Sequence, residues 1–193
     1  MTTRSLSAQL AGSAAGLVAG LVLLAGGASA QTFGPPTPGV CFLSKQGVLN
    51  QSNAGAAANH RFEQLRGAVA QELSGERNAI ANDAKVLEIQ KPVIDIAVYQ
   101  QRAGALALRQ QAFQSLENTR NDQLNRTRAD ITARLIQAMA PILAQVLSEH
   151  RCSAVFEASG AYAYNRQMDL TGEVISIMNA QLPAFPFDLD PPG

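Results

Sequence analysis

The sequence predicts an α+β protein in which a small β-sheet body carries a long antiparallel helical hairpin. The central stretch, residues 56–150, is rich in Ala, Gln, Arg, Glu and Leu and repeats apolar residues at three-and-four spacing, which is the pattern of amphipathic helices. Pro92 interrupts this stretch. Short apolar runs with strand-forming residues lie on either side, at residues 40–43 and 153–165, and these runs predict the strands of the body.

The first thirty residues have the features of a secretory signal peptide. Arg4 supplies positive charge, residues 10–27 are uncharged and mostly apolar, and Ala-Ser-Ala at residues 28–30 is a small-residue cleavage pattern. A membrane anchor is the alternative, but glycines interrupt the apolar stretch, which does not suit a spanning helix. We therefore expect cleavage of residues 1–30 before Gln31 and an exported mature protein.

The mature chain is expected to begin with an irregular lead-in and a first strand. Residues 31–38 contain three prolines, which remove backbone donors and fix φ. Residues 40–43, Val-Cys-Phe-Leu, are too few for a stable helix and suit a buried strand. A connection rich in Gly, Asn and Gln follows at residues 46–55. Residues 31–55 thus form the predicted lead-in and first body strand.

The predicted arm, residues 56–150, is a hairpin of two helices. Its turn is expected at Pro92, because proline disfavours helical geometry at the residue before it and is accepted as the first residue of a helix. A first helix of about 35 residues would extend roughly 50 Å. Pro141 predicts a kink or break in the second helix. The apolar stripes run through Phe62, Leu65, Val69 and Leu73 and through Phe113, Leu116, Ile131, Leu135, Met139, Ile142 and Val146, with a dilute section at Arg120, Asn121 and Thr127.

Strand-forming residues return after the arm. Residues 153–158 and 161–165 are predicted strands with a Ser-Gly turn between them, which makes a β-hairpin. A final helix follows, with Asp169 or Thr171 as its cap and Leu182 at its end. The resulting boundaries are residues 151–182 for the second part of the body and residues 183–193 for a disordered, proline-rich tail.

The composition argues against several function classes. The 15 Lys and Arg residues balance the 15 Asp and Glu residues and intermingle with them, so we expect no basic face for nucleic acid. Neither His60 nor His150 accompanies a Gly-x-Ser-x-Gly elbow, and no Gly-x-x-x-x-Gly-Lys phosphate loop occurs. Glu149, His150 and Cys152 lack the ligand spacing of zinc modules. We expect no catalytic residue, no metal and no cofactor.

The two cysteines, Cys41 and Cys152, both belong to the mature chain and meet an oxidising compartment after export. They stand in the first strand and just before the returning strand, so the predicted fold brings them to the same end of the body. A structural disulfide between them is the expected outcome. A thiolate mechanism with the nearby His150 is the alternative, which the cysteine spacing does not favour.

The whole arrangement resembles the Skp (OmpH-like) family of periplasmic chaperones. The resemblance rests on the strand at residues 40–43, the long polar hairpin, and Val-Phe-Glu-Ala-Ser-Gly-Ala-Tyr-Ala-Tyr-Asn at residues 155–165 followed by Asp-Leu-Thr at 169–171, and it covers essentially the mature chain. It implies a homotrimer with a shared β-barrel body and three arms that enclose unfolded outer-membrane proteins. The residues assigned to the trimer body and its core are Phe42, Val155, Phe156, Tyr162 and Tyr164.

An apolar cluster just beyond the predicted turn is the candidate contact for a client protein. Packing that closes the hairpin tip is the simpler explanation, because burial accounts for most apolar clusters. If the cluster is exposed, it suits a binding surface. Its members are Val93, Ile94, Ile96, Val98 and Tyr99.

Two functions fit these features. The first is an ATP-independent periplasmic holding chaperone that binds unfolded outer-membrane β-barrel proteins and prevents their aggregation, with only indirect membrane contact. The alternative is a periplasmic coiled-coil scaffold or adaptor that binds one folded envelope partner. Breadth separates them, because a scaffold should not protect several unrelated unfolded proteins.

Overall fold

The computed structural model describes residues 33–192 of the chain. The predicted signal peptide, residues 1–30, lies outside the described residues. The described part is α+β, as predicted, because it is mostly helical and contains a small sheet. Its elements are β1 (Val40–Leu43), α1 (Lys45–Gln51), α2 (Asn53–Gln90), α3 (Ile96–Glu149), β2 (Ala154–Glu157) and α4 (Thr171–Gln181), with 3₁₀ turns at Ala158–Gly160 and Arg166–Met168.

The body sheet pairs β1 with β2 in parallel, with Phe42 opposite Phe156. Parallel neighbours need a long crossover connection, and the arm is that connection. The backbone of Leu170 donates a hydrogen bond of 2.9 Å to the carbonyl oxygen of Phe42, and Asp169 forms an isolated bridge with Phe42. The segment that leads into α4 therefore lies along the edge of β1 that β2 leaves open.

The predicted β-hairpin is wrong for the second of its two strands. The chain leaves β2 through a 3₁₀ turn, and residues 161–165 form no strand. Both edges of β1 are already taken, by β2 and by Asp169. In addition, Asn165 accepts a hydrogen bond of 2.9 Å from the amide of Gln167, which bends the chain into the next 3₁₀ turn. Local hydrogen bonding therefore replaces the expected ladder.

The expected connection at residues 46–55 is helical instead. Serine side chains cap two helix starts, since Ser44 accepts from the amide of Gly47 at 3.0 Å and Ser52 accepts from the amide of Gly55 at 3.2 Å. A Cβ at Gly55 would lie 1.8 Å from the carbonyl oxygen of Leu49. Only glycine therefore allows α2 to start so close to the end of α1.

The arm consists of α2 and α3, and the turn between them is close to the predicted one. α2 ends at Gln90, but α3 begins at Ile96 rather than at Pro92. Asp95 determines this start, because its carboxylate accepts a hydrogen bond of 2.8 Å from the amide of Ala97. From their 38 and 54 residues, the two helices are about 57 Å and 81 Å long.

α3 continues through Pro141, so the break that this proline predicts is absent. An interior proline costs about 3 kcal/mol, yet Met139 and Ile142 on either side of it are buried in the body. Burial of such side chains stabilises by roughly 1.5–3 kcal/mol each and offsets that cost. Among the described helices, α3 has the length and apolar composition of a membrane span, which are properties that packed core helices also have.

The body has one apolar core to which β1 and all four helices of the described chain contribute, whereas the residues of β2 are exposed. Val48, Val146, Val174 and Met178 are fully buried at its centre. The remaining members of the cluster are Cys41, Leu43, Leu49, Ala54, Ala58, Phe62, Ile131, Leu135, Met139, Ile142 and Leu170. The third of the arm nearest the sheet, which contains the start of α2 and the end of α3, therefore belongs to the body.

The tail beyond α4 has no helix or strand in residues 182–192, but it does not extend away from the molecule. Phe185 and Phe187 pack against the body core. The carboxylate of Asp188 pairs with Arg61 of α2. The disorder expected for this segment is therefore replaced, over residues 183–192, by contact with the base of the arm.

Candidate functional site

Ion pairs join the two helices of the arm. Arg120 of α3 binds both carboxylate oxygens of Glu72, at 2.8 and 3.0 Å. Arg109 binds both oxygens of Glu76, at 2.7 and 3.1 Å. We call these pairs, together with Arg109–Asp83 and Arg77–Glu117, the arm ladder.

Hydrogen bonds in the arm ladder favour the charged forms of Glu76, Arg109 and Arg120. The hydrogen bond from Arg109 lowers the pKa of Glu76, and the same bond raises the pKa of Arg109. The bond to Glu72 likewise raises the pKa of Arg120. Because all these side chains lie at the surface, dissolved salt screens their attraction. The contribution of these ion pairs to the joining of the two helices therefore depends on ionic strength.

Few apolar side chains are buried along the arm outside the body. In the described chain they are Val69, Ile80, Leu87 and Phe113. The guanidinium of Arg77 lies 5.6 Å from the centre of the Phe113 ring and covers part of it. The arm thus buries little apolar surface between its own helices.

The tip cluster, which comprises Val93, Ile94, Ile96, Val98 and Tyr99, lies at the turn of the arm and is largely exposed. The side chains of Val93 and Ile96 are 81% and 67% exposed, and Val98 is exposed too. Ile94 and Tyr99 are half-buried. Packing at the tip therefore involves only part of the cluster, and most of its apolar surface faces solvent.

Tyr99 is held in place by neighbours from α2 and the turn. Its hydroxyl donates a hydrogen bond of 2.8 Å to Glu88. The ammonium group of Lys91 lies 5.2 Å from the centre of the Tyr99 ring, which favours a cation–π contact. These contacts fix the orientation of the Tyr99 ring beside the aliphatic side chains of the cluster.

Two further apolar residues, Val86 and Ile89, extend the tip surface onto the last turns of α2, where both are exposed. An open groove of about 340 Å³ lies beside them and is lined in part by Leu87 and Leu106. This extension was not predicted from the sequence. The available signal was that Val86, Leu87 and Ile89 place apolar side chains on more than one face of a helix, which burial against a single neighbour does not require.

The residues predicted for the trimer body lie at or near the surface of a single chain. Phe42 stacks on Tyr164, with ring centroids 4.2 Å apart, and lies 5.9 Å from Phe156. Phe156 is 52% exposed, Val155 is exposed, and Tyr162 is fully exposed. We call these five residues the sheet face. The structure brings the rings of Phe42, Phe156 and Tyr164 together on one side of the sheet. Val155, the neighbour of Phe156 in β2, lies on the other side, and Tyr162 extends into solvent.

A hydrogen-bonded carboxylate, that of Asp169, holds Tyr164 of the sheet face in place. Asp169 accepts from the hydroxyl of Tyr164 at 2.7 Å and from the amide of Thr171 at 2.9 Å. Burial alone would raise the pKa of Asp169, but these hydrogen bonds outweigh burial and hold the pKa below its ordinary value. The same bond to Asp169 raises the pKa of Tyr164. The predicted caps of the last helix are wrong, because Leu170 is its N-cap, without a side-chain cap, and Thr171 is its first residue.

The cysteines lie where the predicted disulfide needs them. The structure joins Cys41 to Cys152 with their Cα atoms 5.9 Å apart, which is an ordinary separation for a disulfide. The imidazole of His150 lies 2.7 Å from the carboxylate of Glu173. Among residues 33–192, no three His, Cys, Asp or Glu side chains are grouped so as to hold a metal ion.

Comparison with known proteins identifies the family. A family model described as outer membrane protein (OmpH-like) matches residues 39–178, which is more than half of the chain and runs from β1 into α4. This chain belongs to the OmpH-like family. The OmpH-like chain is also similar to a crystal structure from Caulobacter crescentus CB15, a protein named as an OmpH-like outer membrane chaperone. The two are 29% identical, with a TM-score of 0.77 over 83% of this chain and 95% of that chain. No curated protein matches the chain.

Proposed function

We propose that this OmpH-like protein is an ATP-independent holding chaperone of the periplasm that binds unfolded outer-membrane β-barrel proteins and prevents their aggregation. The exposed apolar tip of a charged arm carries the proposal, because grouped large apolar side chains in contact with water mark interaction surfaces. The family supports a chaperone role, and the Caulobacter protein is itself named as an outer membrane chaperone.

Unfolded β-barrel proteins suit such a surface. Their strands carry apolar residues at alternate positions, so a client offers many short apolar sites in no fixed register. Several weak contacts with one chain give strong overall binding through effective concentration. The sequence contains no phosphate-loop motif, which favours passive holding over an ATP-driven cycle.

Assembly into a homotrimer is part of the proposal. The sheet face leaves Phe42, Phe156 and Tyr162 at least partly open to water, and β2 is exposed along its whole length. Exposed strand edges and apolar faces are normally covered by pairing. Three copies joined through these faces would cover them and would set three arms around one cavity. The predicted signal peptide and the Cys41–Cys152 pair suit the oxidising periplasm.

The function is tested by aggregation assays with several unrelated porins diluted from denaturant. A holding chaperone should suppress light scattering by all of them at near-stoichiometric amounts. Protection of none of them, together with stable binding of one folded envelope protein, would favour the scaffold instead.

Two variants separate contact at the tip from enclosure by the arms. Replacement of Val93, Ile94 and Ile96 by Ser removes apolar tip surface, and Leu108→Ser, at an exposed site in the middle of the arm, is the matched control. A short-arm variant lacks residues 73–83 and 108–118, which face each other across the arm ladder. It removes three turns, about 17 Å, from each helix and keeps the tip. If contact at the tip dominates, we expect the tip variant to lose most of its protection of porins against aggregation. If enclosure dominates, we expect this loss in the short-arm variant. Full protection by both variants would refute the arm mechanism.

The trimer is tested with Phe156→Asp. A charge placed in a shared apolar interface is strongly unfavourable, so sedimentation should show dissociation of this variant. Glu157, the next residue, is already charged and exposed, and Glu157→Gln is the control. A Phe156→Asp protein that stays trimeric would show that the sheet face is not the assembly surface.

A further inference from the structure

The C-terminal tail lies on the base of the arm with a two-residue alternation. Phe185, Phe187 and Leu189 are half-buried, whereas Pro186 and Asp188 between them are exposed. Alternation of this period belongs to extended chain segments. The tail lies beyond residues 39–178, which match the family. It is therefore a strand-like peptide that lies outside the segment matched by the family model.

Side chains of α3 hold the backbone of the tail near its end. Asp190 donates its amide hydrogen to the hydroxyl of Thr127 at 2.9 Å, and its carbonyl oxygen accepts from the side-chain amide of Gln123. Gln123 and Thr127 are only 3% and 2% exposed. Arg126 adds a hydrogen bond of 2.8 Å to the carbonyl oxygen of Pro191. Buried polar side chains are thus directed at the main chain of a peptide.

The apolar half of the contact lies closer to the body. Phe185 and Phe187 pack against the body core, and the guanidinium of Arg134 lies 6.0 Å from the centre of the Phe185 ring. Arg61 donates a hydrogen bond of 3.3 Å to the carbonyl oxygen of Phe187 and pairs with the carboxylate of Asp188. Most polar contacts are to the tail backbone, which any sequence provides, and the side-chain contacts require apolar groups at alternate positions.

Main-chain hydrogen bonds combined with sites for alternate apolar side chains are a general means of binding extended peptides. We propose that this groove, formed by Arg61, Gln123, Arg126, Thr127 and Arg134, is a binding site for extended peptides with alternating apolar residues. The tail occupies this groove in the structure and competes with other peptides for it. Unfolded β-barrel segments, which share the alternation, enter the groove by displacing the tail; this step rests on the proposed function. The apparent affinity for a client is then reduced by the fraction of molecules whose groove is closed.

The site is tested with a fluorescently labelled peptide of residues 183–193 and a protein truncated after Leu182. A tethered tail acts at an effective concentration in about the millimolar range. Fluorescence anisotropy should therefore show binding to the truncated protein at least tenfold tighter than to the full chain. Equal binding to both proteins, or none to the truncated one, would overturn the site. Circular dichroism checks that the truncated protein is folded.

Substitutions locate the site on α3. In the truncated protein, Gln123→Ala combined with Thr127→Val removes the groups that hold Asp190 and should weaken peptide binding at least tenfold. Gln114→Ala, at an exposed position of the same helix, should leave binding unchanged. Undiminished binding by the double variant would show that the peptide binds elsewhere.

Competition is tested on the full chain without any substitution. Hydrogen exchange of the tail amides, including that of Asp190, should accelerate when an unfolded porin is added. Porin protection with unchanged tail exchange would overturn this inference and leave the proposed function intact. Tight peptide binding by the truncated protein, without protection of any porin, would overturn the proposed function but would still support the peptide-binding groove.

Discussion

The body and the arm of this OmpH-like chain are stabilised in different ways. The body buries apolar side chains from β1 and all four described helices and contains the Cys41–Cys152 pair. The arm outside the body buries only four apolar side chains, and surface ion pairs also join its two helices. Apolar surface that is packed within an arm is lost for binding. The comparison shows that apolar packing is concentrated in the body. The exposed apolar residues of the arm tip therefore remain available for contact with a partner.

Removal of the disulfide is the largest expected change, and it should affect the body. Closing a loop of 111 residues stabilises by about 4–5 kcal/mol in the chain-entropy account. We expect reduction, or Cys41→Ala with Cys152→Ala, to lower the free energy of unfolding by about that amount. Urea unfolding with and without reductant measures it. Two free thiols in protein purified unreduced from the periplasm would contradict the prediction.

A matched pair of valines compares packing in the two regions directly. Val146 in the body and Val69 in the arm are both buried, at 0% and 6% exposure. Val146→Ala should cost roughly 2 kcal/mol of global stability, because the dense body cannot collapse around the cavity. Val69→Ala should cost less than about 1 kcal/mol, since two long helices can shift to close the gap. Equal losses in urea unfolding would show that the arm is packed as tightly as the body.

Acid should weaken the body through Asp169. Because the folded pKa of Asp169 is lowered, its stabilising contribution is complete above its ordinary pKa of about 3.9 and is lost as the pH falls through the lower folded value. Asp169→Asn should cost about 1–2 kcal/mol at neutral pH and should flatten the decline of stability in acid. Asp122→Asn, on the exposed surface of α3, is the control. If Asp169→Asn shows the same decline of unfolding free energy in acid as the unsubstituted protein, this carboxylate does not contribute to acid sensitivity.

Salt should loosen the arm and leave the body unchanged, and this is the smallest effect. Between about 0.1 M and 1 M salt the screening length falls from about 10 Å to 3 Å. Protection of arm amides near the arm ladder against hydrogen exchange should fall roughly two- to fivefold, as expected for surface pairs. Amides around Val146 and Val174 are the internal control. Equal losses in both regions would mean that the ladder has no special role in the arm.

The sequence predicted those parts of the fold that depend on local pattern. Apolar periodicity and Pro92 place the two arm helices and their turn to within a few residues. It did not predict α1, because the Gly- and Asn-rich composition of residues 46–55 concealed two serine caps that become evident only with Leu49 packed beneath them. The strand expected at residues 161–165 has the right alternation but no free edge of β1 to pair with.

The docked tail was also missed, although two signals for it were present in the sequence. The stripe of α3 is dilute between Arg120 and Thr127, where polar side chains bind the tail backbone instead of packing on α2. The tail itself alternates Phe185, Phe187 and Leu189 with other residues. Each signal alone has an ordinary explanation. Only the three-dimensional contact connects them, so this part of the candidate site could not be found from local pattern.

Gly55 has a mechanical consequence for the reach of the arm. Any side chain at this position meets the carbonyl oxygen of Leu49 and must tilt the start of α2. The helix acts as a lever about 57 Å long, so a tilt of about 5° at its base moves the tip by about 5 Å. In the proposed trimer, that displacement would change the width of the opening between the tips. The absence of a side chain at Gly55 thus helps to set the direction in which the arm leaves the body.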